Sequence, residues 1–209
     1  MIGHIIETDE HVAEGATHLA RIEPRFAHAL TLTGPLPLRR RPDGFAALFS
    51  AIVSQQVSTQ AATTIWGRVE ALGATDPAGL AAVSDQALRV AGLSRQKITY
   101  ARALAASGID FIALRALPDA EVVAELTRVK GIGVWTAEIY AMFSLGRADI
   151  FAPGDLALQE SAARLFGLEA RPIERELRAM SLAWSPWRAV AARLLWAFYR
   201  VETSREGVR

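Results

Sequence analysis

Residues 126–137 read LTRVKGIGVWTA, and two glycines there enclose one apolar residue between two stretches with helical spacing. Glycine adopts backbone conformations closed to other residues, so Gly131 and Gly133 predict a tight hairpin between two helices. The second helix would start with unpaired N–H groups, which favour an anion such as phosphate. Ile132 would fill the space between the helices. Taken alone, the same residues also fit a plain turn between helices, and that interpretation stays open at this point.

Helix start and stop signals recur along the chain, and no stretch alternates apolar and polar residues convincingly as a strand does. The residues that predict helix N-caps include Thr8, Asp76, Ser84, Ser94 and Asp155. Apolar residues with helical spacing that predict a buried face are Phe45, Leu48, Phe49, Ile52 and Val53. About ten helices with short joints predict an all-α globular protein.

Composition excludes several classes of protein. With 51% hydrophobic and 22% charged residues among 209, the chain has enough apolar surface to fold, so disorder as the main state is excluded. The absence of cysteine removes disulfides, thiol nucleophiles and thiolate-held iron–sulfur clusters. The apolar runs are shorter than the roughly 18 residues of a membrane span, and the first residues do not form a signal segment. We therefore expect a cytoplasmic protein with no membrane contact.

The charge balance gives no general sign of a polyanion partner, because 23 basic and 22 acidic residues leave a net charge of +1. A nucleic-acid contact would therefore have to be local. Lysine occurs only as Lys97 and Lys130. Lys97, near a predicted helix start, could contact a phosphate or be solvated. The arginines at 39–41 stand beside prolines, which is typical of a solvated linker.

Three more segments lie in order around the hairpin: AIVSQQVS at 51–58, DIFAPGDLALQ at 149–159 and WSPWR at 184–188. Together with residues 126–137 they resemble the helix-hairpin-helix DNA glycosylase superfamily, and more narrowly the DNA-3-methyladenine glycosylase II branch. The resemblance covers roughly residues 43–200. It implies a two-lobed helical glycosylase core, with a middle lobe at 43–150 and a second lobe made of 1–42 and 151–209. It also implies a compact form without the N-terminal β domain of larger members.

The resemblance implies that Asp155 is the catalytic residue, since the family carries an aspartate about 20 residues after the hairpin. Cleavage of an N-glycosidic bond leaves positive charge on the sugar, and a nearby carboxylate stabilises that charge. Asp155 could also orient or deprotonate the attacking water. Without the resemblance, an aspartate at a helix start would be read as a cap only.

The resemblance also implies which residues meet the damaged base. Lyase members carry a lysine two residues after the second hairpin glycine, and this chain has Trp135 there, so it lacks the amine that forms a Schiff base. By family position Trp135 and Trp196 line the base pocket, in the cleft between the lobes, where an indole attracts a cationic alkylated purine. Core packing is the alternative for each tryptophan, and for Trp184 and Trp187 it is the preferred interpretation.

The matched family fills the gap left by an extruded nucleotide with a side chain at the position of Gln56, beside Gln55. A polar joint between two helices is the alternative for this pair. Contacts to the DNA backbone are expected from Lys130, Gly131, Ile132, Gly133 and Thr136. In relatives hairpin carbonyls hold a monovalent cation, which implies that the carbonyls of Thr127, Val129 and Ile132 could bind sodium or potassium here. No other cofactor is expected.

The resemblance thus implies a monomeric, monofunctional DNA glycosylase of base excision repair that acts on double-stranded DNA. It would release alkylated bases such as 3-methyladenine and 7-methylguanine and leave an abasic site. In a bacterium it would work in the cytoplasm at the nucleoid. A non-catalytic protein that binds damaged DNA through the hairpin is the alternative, and a glycosylase with lyase activity is disfavoured by Trp135. The preferred lesion stays open.

Overall fold

The computed structural model describes the backbone of residues 3–206 and the side chains of residues 3–204. Regular secondary structure in this part of the chain is helical, and strand-like pairing is confined to an isolated antiparallel bridge between Ile5 and Arg147. The prediction of an all-α protein is therefore confirmed. The helices are α1 (Asp9–Ile22), α2 (Pro24–Thr33), α3 (Phe45–Ser54), α4 (Thr59–Ala71), α5 (Pro77–Ala82), α6 (Asp85–Ala91), α7 (Arg95–Ala106), α8 (Phe111–Leu114), α9 (Asp119–Thr127), α10 (Val134–Phe143), α11 (Leu156–Phe166), α12 (Glu174–Ser181) and α13 (Arg188–Glu206), with a short 3-10 helix at Leu182–Trp184.

The helix starts follow the sequence signals closely. Each of the predicted caps accepts a hydrogen bond from a backbone N–H in the first turn of its helix; they are Thr8, Asp76, Ser84, Ser94 and Asp155. Helix α3 begins at Phe45, the first position of its predicted apolar face, and Asp43 just before it pairs with Arg115 at 2.7 Å. The short α8 was not predicted; it begins after Asp110, whose carboxylate caps it.

The helices form two compact units, and the first comprises residues 41–140. Within it α3 packs against α4 and α7, and α7 also contacts α5 and α6. The apolar face predicted for α3 is buried at all five positions, Phe45, Leu48, Phe49, Ile52 and Val53. The hydroxyl of Tyr140 accepts the Gly44 N–H at 2.8 Å and so holds the chain at the start of α3.

The second unit contains the described residues up to Arg40 together with those from Ala141 onward. Its helix α13 packs against α1, α2 and α11. The buried Trp184 lies in an aromatic cluster with Phe26, Phe151 and Phe166, at ring distances of 5.2, 5.3 and 5.7 Å. The boundary between the units falls inside α10, whereas the predicted lobes divide the chain at residues 42 and 150.

The described helices do not include an apolar segment of the length that a membrane span requires.

Gly15 lies in α1 where a side chain would collide with the last helix. A Cβ there would come within 2.7 Å of both Trp187 and Val190. We expect Gly15→Ala to lower the free energy of unfolding by about 1–3 kcal/mol through overpacking. Chemical denaturation followed by circular dichroism measures this change in the free energy of unfolding.

Gly67→Ala is the matched control, because Gly67 is also helical and a Cβ there would meet no atom within 4 Å. We expect it to raise the free energy of unfolding by about 0.5–1 kcal/mol through helix propensity. Equal changes in the two variants would show that the contact with Trp187 does not restrict residue 15.

Candidate functional site

Asp155 stands at the start of α11 with its carboxylate held in one orientation. Its Oδ1 atom accepts the backbone N–H groups of Ala157 at 3.0 Å and Leu158 at 3.1 Å. The same atom accepts the indole N–H of Trp196 at 3.1 Å. The cap interpretation and the predicted catalytic role therefore concern the same side chain, and the cap fixes the carboxylate without excluding chemistry there.

The loop that leads to Asp155 is tied down at both of its ends. At its start, Arg188 donates to the two carboxylate oxygens of Asp149 at 2.7 and 3.0 Å, and the Ser185 hydroxyl donates to Asp149 at 2.8 Å. At its end, the buried amide of Gln159 donates to the Pro153 carbonyl at 2.8 Å. Bidentate arginine–carboxylate pairs restrict orientation as well as distance. The backbone before Asp155 is thus held at a defined position.

Trp196 is half-buried, and it does more than offer an aromatic face for stacking against a base. Its indole N–H is used on Asp155, and its ring lies 5.8 Å from that of Phe143 at an angle of 32°. The assignment of Trp196 to a base pocket stays a prediction. The structure adds a hydrogen bond through which Trp196 positions the carboxylate.

Arg193 lies near these rings and was not singled out in the sequence. It is only 2% exposed, and its guanidinium lies 4.8 Å from the centre of the Phe143 ring. It donates to the carbonyls of Leu38 and Ala189. Burial, helped by the nearby Arg39 and Arg40, lowers the pKa of Arg193 to about 10. Apart from Ala189 in the preceding turn, its partners Leu38 and Phe143 are distant in sequence, so no local pattern marks Arg193.

The other two tryptophans near the C-terminus have structural positions. Trp184 is buried in the aromatic cluster, and Trp187 is buried against His4 at a ring distance of 5.3 Å. This burial agrees with the preferred interpretation of both residues as core.

The predicted hairpin joins α9 to α10. Gly131 has a φ of +97°, and a Cβ there would overlap the ring of Tyr100, so this position requires glycine. Ile132 is buried, as a side chain that fills the space between the helices should be. Gly133 is exposed, with open space where a Cβ would stand. The exposed backbone at Gly133 is therefore accessible to another molecule.

The side chains around the hairpin divide into exposed and buried groups. Lys130 is exposed and Trp135 is 45% exposed, so both are accessible to a ligand. Thr136, assigned in the sequence to the DNA backbone, is only 6% exposed. Its side chain is buried, and its assignment to the DNA backbone stays a prediction. The spacing of glycines could not show which face of α10 Thr136 occupies.

Gln55 and Gln56, predicted together as a wedge, occupy different environments. Gln56 is exposed and has a φ of +56°, in the left-handed region that residues other than glycine rarely adopt. Gln55 is half-buried, and its amide donates to the Gly131 carbonyl at 3.1 Å. Gln55 thus links this turn to the hairpin, and the assignment of both glutamines to a wedge stays a prediction.

Lys97 is not the solvated side chain that was one of its two interpretations, and its contact with a phosphate stays a prediction. It is 9% exposed, and its ammonium donates to the Val53 carbonyl at 2.6 Å. Burial lowers the pKa of Lys97. With Gln55, Gln56 and residues 131–133 it lines a polar groove of about 380 Å³.

A hairpin of two helices followed by a fixed aspartate at a helix start defines a class of DNA-repair protein, and sequence comparison agrees. Residues 49–188 match the family model described as HhH-GPD superfamily base excision DNA repair protein. The chain therefore belongs to the HhH-GPD superfamily.

Within that superfamily the chain is similar to glycosylases of 3-methyladenine. The crystal structure of a DNA-3-methyladenine glycosidase from Bacillus halodurans superimposes with a TM-score of 0.83 at 36% identity, covering 98% of this chain and 95% of that one. A 3-methyladenine DNA glycosylase of Schizosaccharomyces pombe in complex with abasic DNA gives a TM-score of 0.75 at 26% identity, covering 88% and 95%. DNA-3-methyladenine glycosylase of Saccharomyces cerevisiae is 35% identical over 80% of this chain and 62% of its own length.

The cap geometry of Asp155 leads to a stability prediction. Asparagine and aspartate are about equally good N-caps, whereas replacement by alanine costs about 1 kcal/mol. We expect the change in the free energy of unfolding caused by Asp155→Asn to be less than about half of the change caused by Asp155→Ala. Thermal unfolding followed by circular dichroism compares the two. Equal losses would show that the cap depends on the negative charge rather than on an acceptor oxygen.

Proposed function

We propose that the protein is a monofunctional DNA glycosylase that removes alkylated purines from double-stranded DNA and leaves an abasic site. The observation that carries the proposal is the carboxylate of Asp155, oriented by three N–H donors in a chain of the HhH-GPD superfamily. The 3-methyladenine activity named for the relatives supports the class of substrate.

Asp155 would act on the positive charge that develops on the sugar as the glycosidic bond breaks. At about 4 Å and an effective dielectric near 20, this attraction is of order 4 kcal/mol, which corresponds to roughly a thousandfold in rate. The carboxylate can also accept a proton from the attacking water or orient it. Because the cap bonds and the Trp196 bond already fix Oδ1, little reorganisation is needed when the charge appears.

The hairpin would hold the DNA backbone. Gly133 presents exposed backbone at the start of α10, and Lys130 beside it is exposed. A helix start and a few backbone N–H groups bind phosphate without many lysines. This is compatible with a net charge of +1. The complex of the Schizosaccharomyces pombe relative with abasic DNA supports a DNA ligand.

The cation proposed for the hairpin would be held by the carbonyls of Thr127, Val129 and Ile132. The Val129 carbonyl accepts the Ile132 N–H at 3.0 Å, and a carbonyl oxygen has a second lone pair for a cation. A monovalent ion there would add positive charge near a bound phosphate.

Trp135 would face the damaged base. Its indole is partly exposed, and an alkylated purine with positive charge gains about 0.5–2 kcal/mol from a cation–π contact. An indole cannot form a Schiff base, so strand cleavage by the lysine-dependent route has no amine at this position. The proposal therefore includes the absence of lyase activity.

We further propose that the protein acts as a monomer in the cytoplasm. The lack of cysteine is compatible with a reducing compartment.

Asp155→Asn is expected to lower the release of 7-methylguanine from methylated DNA by about a thousandfold, because the negative charge beside the sugar is lost. Released base is measured by chromatography, and DNA binding is measured in parallel. Asp76→Asn is the matched control, since Asp76 also caps a helix through its carboxylate but lies at the start of α5. It should release base at the wild-type rate.

Full base release by Asp155→Asn would contradict the catalytic assignment. Wild-type protein that binds damaged DNA without releasing any base would favour the alternative of a binding protein. Strand scission without alkali, with a covalent adduct trapped by borohydride, would contradict the absence of lyase activity.

Trp196→Phe separates the two roles of this residue, because phenylalanine keeps an aromatic ring and loses the N–H. Hydrogen bonds to charged groups contribute about 1.5–3 kcal/mol, so we expect the rate of base release to fall about tenfold or more. Affinity for DNA that carries the alkylated base should stay within about twofold, because the aromatic surface remains. A loss of affinity with an unchanged rate would show that Trp196 serves only as a stacking surface.

A further inference from the structure

The turn between α3 and α4 is held in a conformation that its own residues do not favour. Gln56 has a φ of +56° and an exposed side chain. A glutamine in the left-handed region persists only where its surroundings determine the backbone. The contacts around Gln56 should therefore explain why the turn keeps this shape.

Lys97 fixes the chain just before the turn. Its ammonium reaches from the first turn of α7 to the carbonyl of Val53, near the end of α3, at 2.6 Å. Burial of an ammonium is unfavourable unless the group is hydrogen-bonded. The buried Lys97 ammonium cannot serve solubility, so its position beside this turn needs a structural explanation. The bond to Val53 supplies that explanation, since it satisfies a carbonyl at the helix end and fixes its position.

Gln55 fixes the turn from the other side. Its amide donates to the Gly131 carbonyl at 3.1 Å and so links the residue next to Gln56 to the hairpin. Gly131 is itself restricted by its positive φ and by the ring of Tyr100 behind it. The turn, the first residues of α7 and the hairpin meet around the same groove.

We propose that Lys97 and Gln55 are positioning residues that hold the Gln56 turn at a fixed place relative to the hairpin. The hairpin sets where the DNA backbone lies, and the turn sets where Gln56 enters the duplex. With both fixed, Gln56 reaches the gap left by the extruded nucleotide. This inference rests on the proposed function, in which Gln56 is the wedge.

A comparison of the release rates of paired and unpaired lesions distinguishes this positioning role from a general defect in folding. Extrusion of a paired base requires unpairing and unstacking, and much of that cost is absent for a base that is already unpaired. A misplaced wedge therefore slows release of a paired lesion and affects a bulged lesion much less. A fold defect lowers both rates alike.

The experiment uses two DNA substrates of the same sequence, one with 7-methylguanine paired to cytosine and one with the same base in a single-nucleotide bulge. Base release is measured at saturating enzyme for each variant. For Lys97→Met we expect the paired rate to fall about tenfold and the bulged rate less than twofold.

Lys130→Met is the matched control, since Lys97 and Lys130 are the two lysines of the chain. Lys130 is exposed at the hairpin, so its loss should weaken binding of both substrates and leave the ratio of their saturated rates unchanged.

Gln55→Met provides a second test that does not depend on the stability of Lys97→Met, since it removes the bond to Gly131 from a half-buried side chain. It should lower the paired rate relative to the bulged rate in the same direction.

An unchanged ratio in Gln55→Met and in folded Lys97→Met would overturn the inference while the wild-type protein still releases both lesions. A wild-type protein that releases neither lesion would instead overturn the proposed function.

Discussion

The hydrogen bonds accepted by Oδ1 of Asp155 are the interaction on which the candidate site depends. Two come from the first turn of α11 and one from Trp196 in α13, so a single oxygen joins the start of one helix to the side of another. The first N–H groups of a helix need acceptors, and a carboxylate is well suited to supply one. Folding and chemistry therefore favour the same residue type at this position.

The residues around Asp155 extend this restriction to the backbone. Asp149 is held by Arg188 and Ser185, and Pro153 is held by Gln159, so a movement of the loop would break these hydrogen bonds. An electrostatic contribution to rate depends on charges that are already in place before reaction. The loop supplies that fixed geometry from residues that need never touch a substrate.

Local patterns predicted local structure well. The helix caps at Thr8, Ser94 and Asp155 and the buried face of α3 depend on neighbours within one or two turns, which the sequence displays directly. The hairpin and the aspartate after it also indicated the superfamily, because the number of residues between them can be counted in the sequence. The contacts that define the site in detail join residues far apart. Lys97 meets a carbonyl 44 residues away, Gln55 one 76 residues away, and Trp196 meets Asp155 over 41 residues. No local signal distinguishes these partners from many other polar residues.

The positive φ of Gln56 places opposing demands on that position during evolution. Backbone energetics favour glycine or asparagine there, because these residues enter the left-handed region at low cost. A long side chain at the same position lowers the free energy of unfolding. Selection would retain it only if a contact of that side chain improved function. Under the proposed function, replacement by glycine would raise thermal stability and weaken the fit to DNA, so stability and repair would place opposite requirements on this turn.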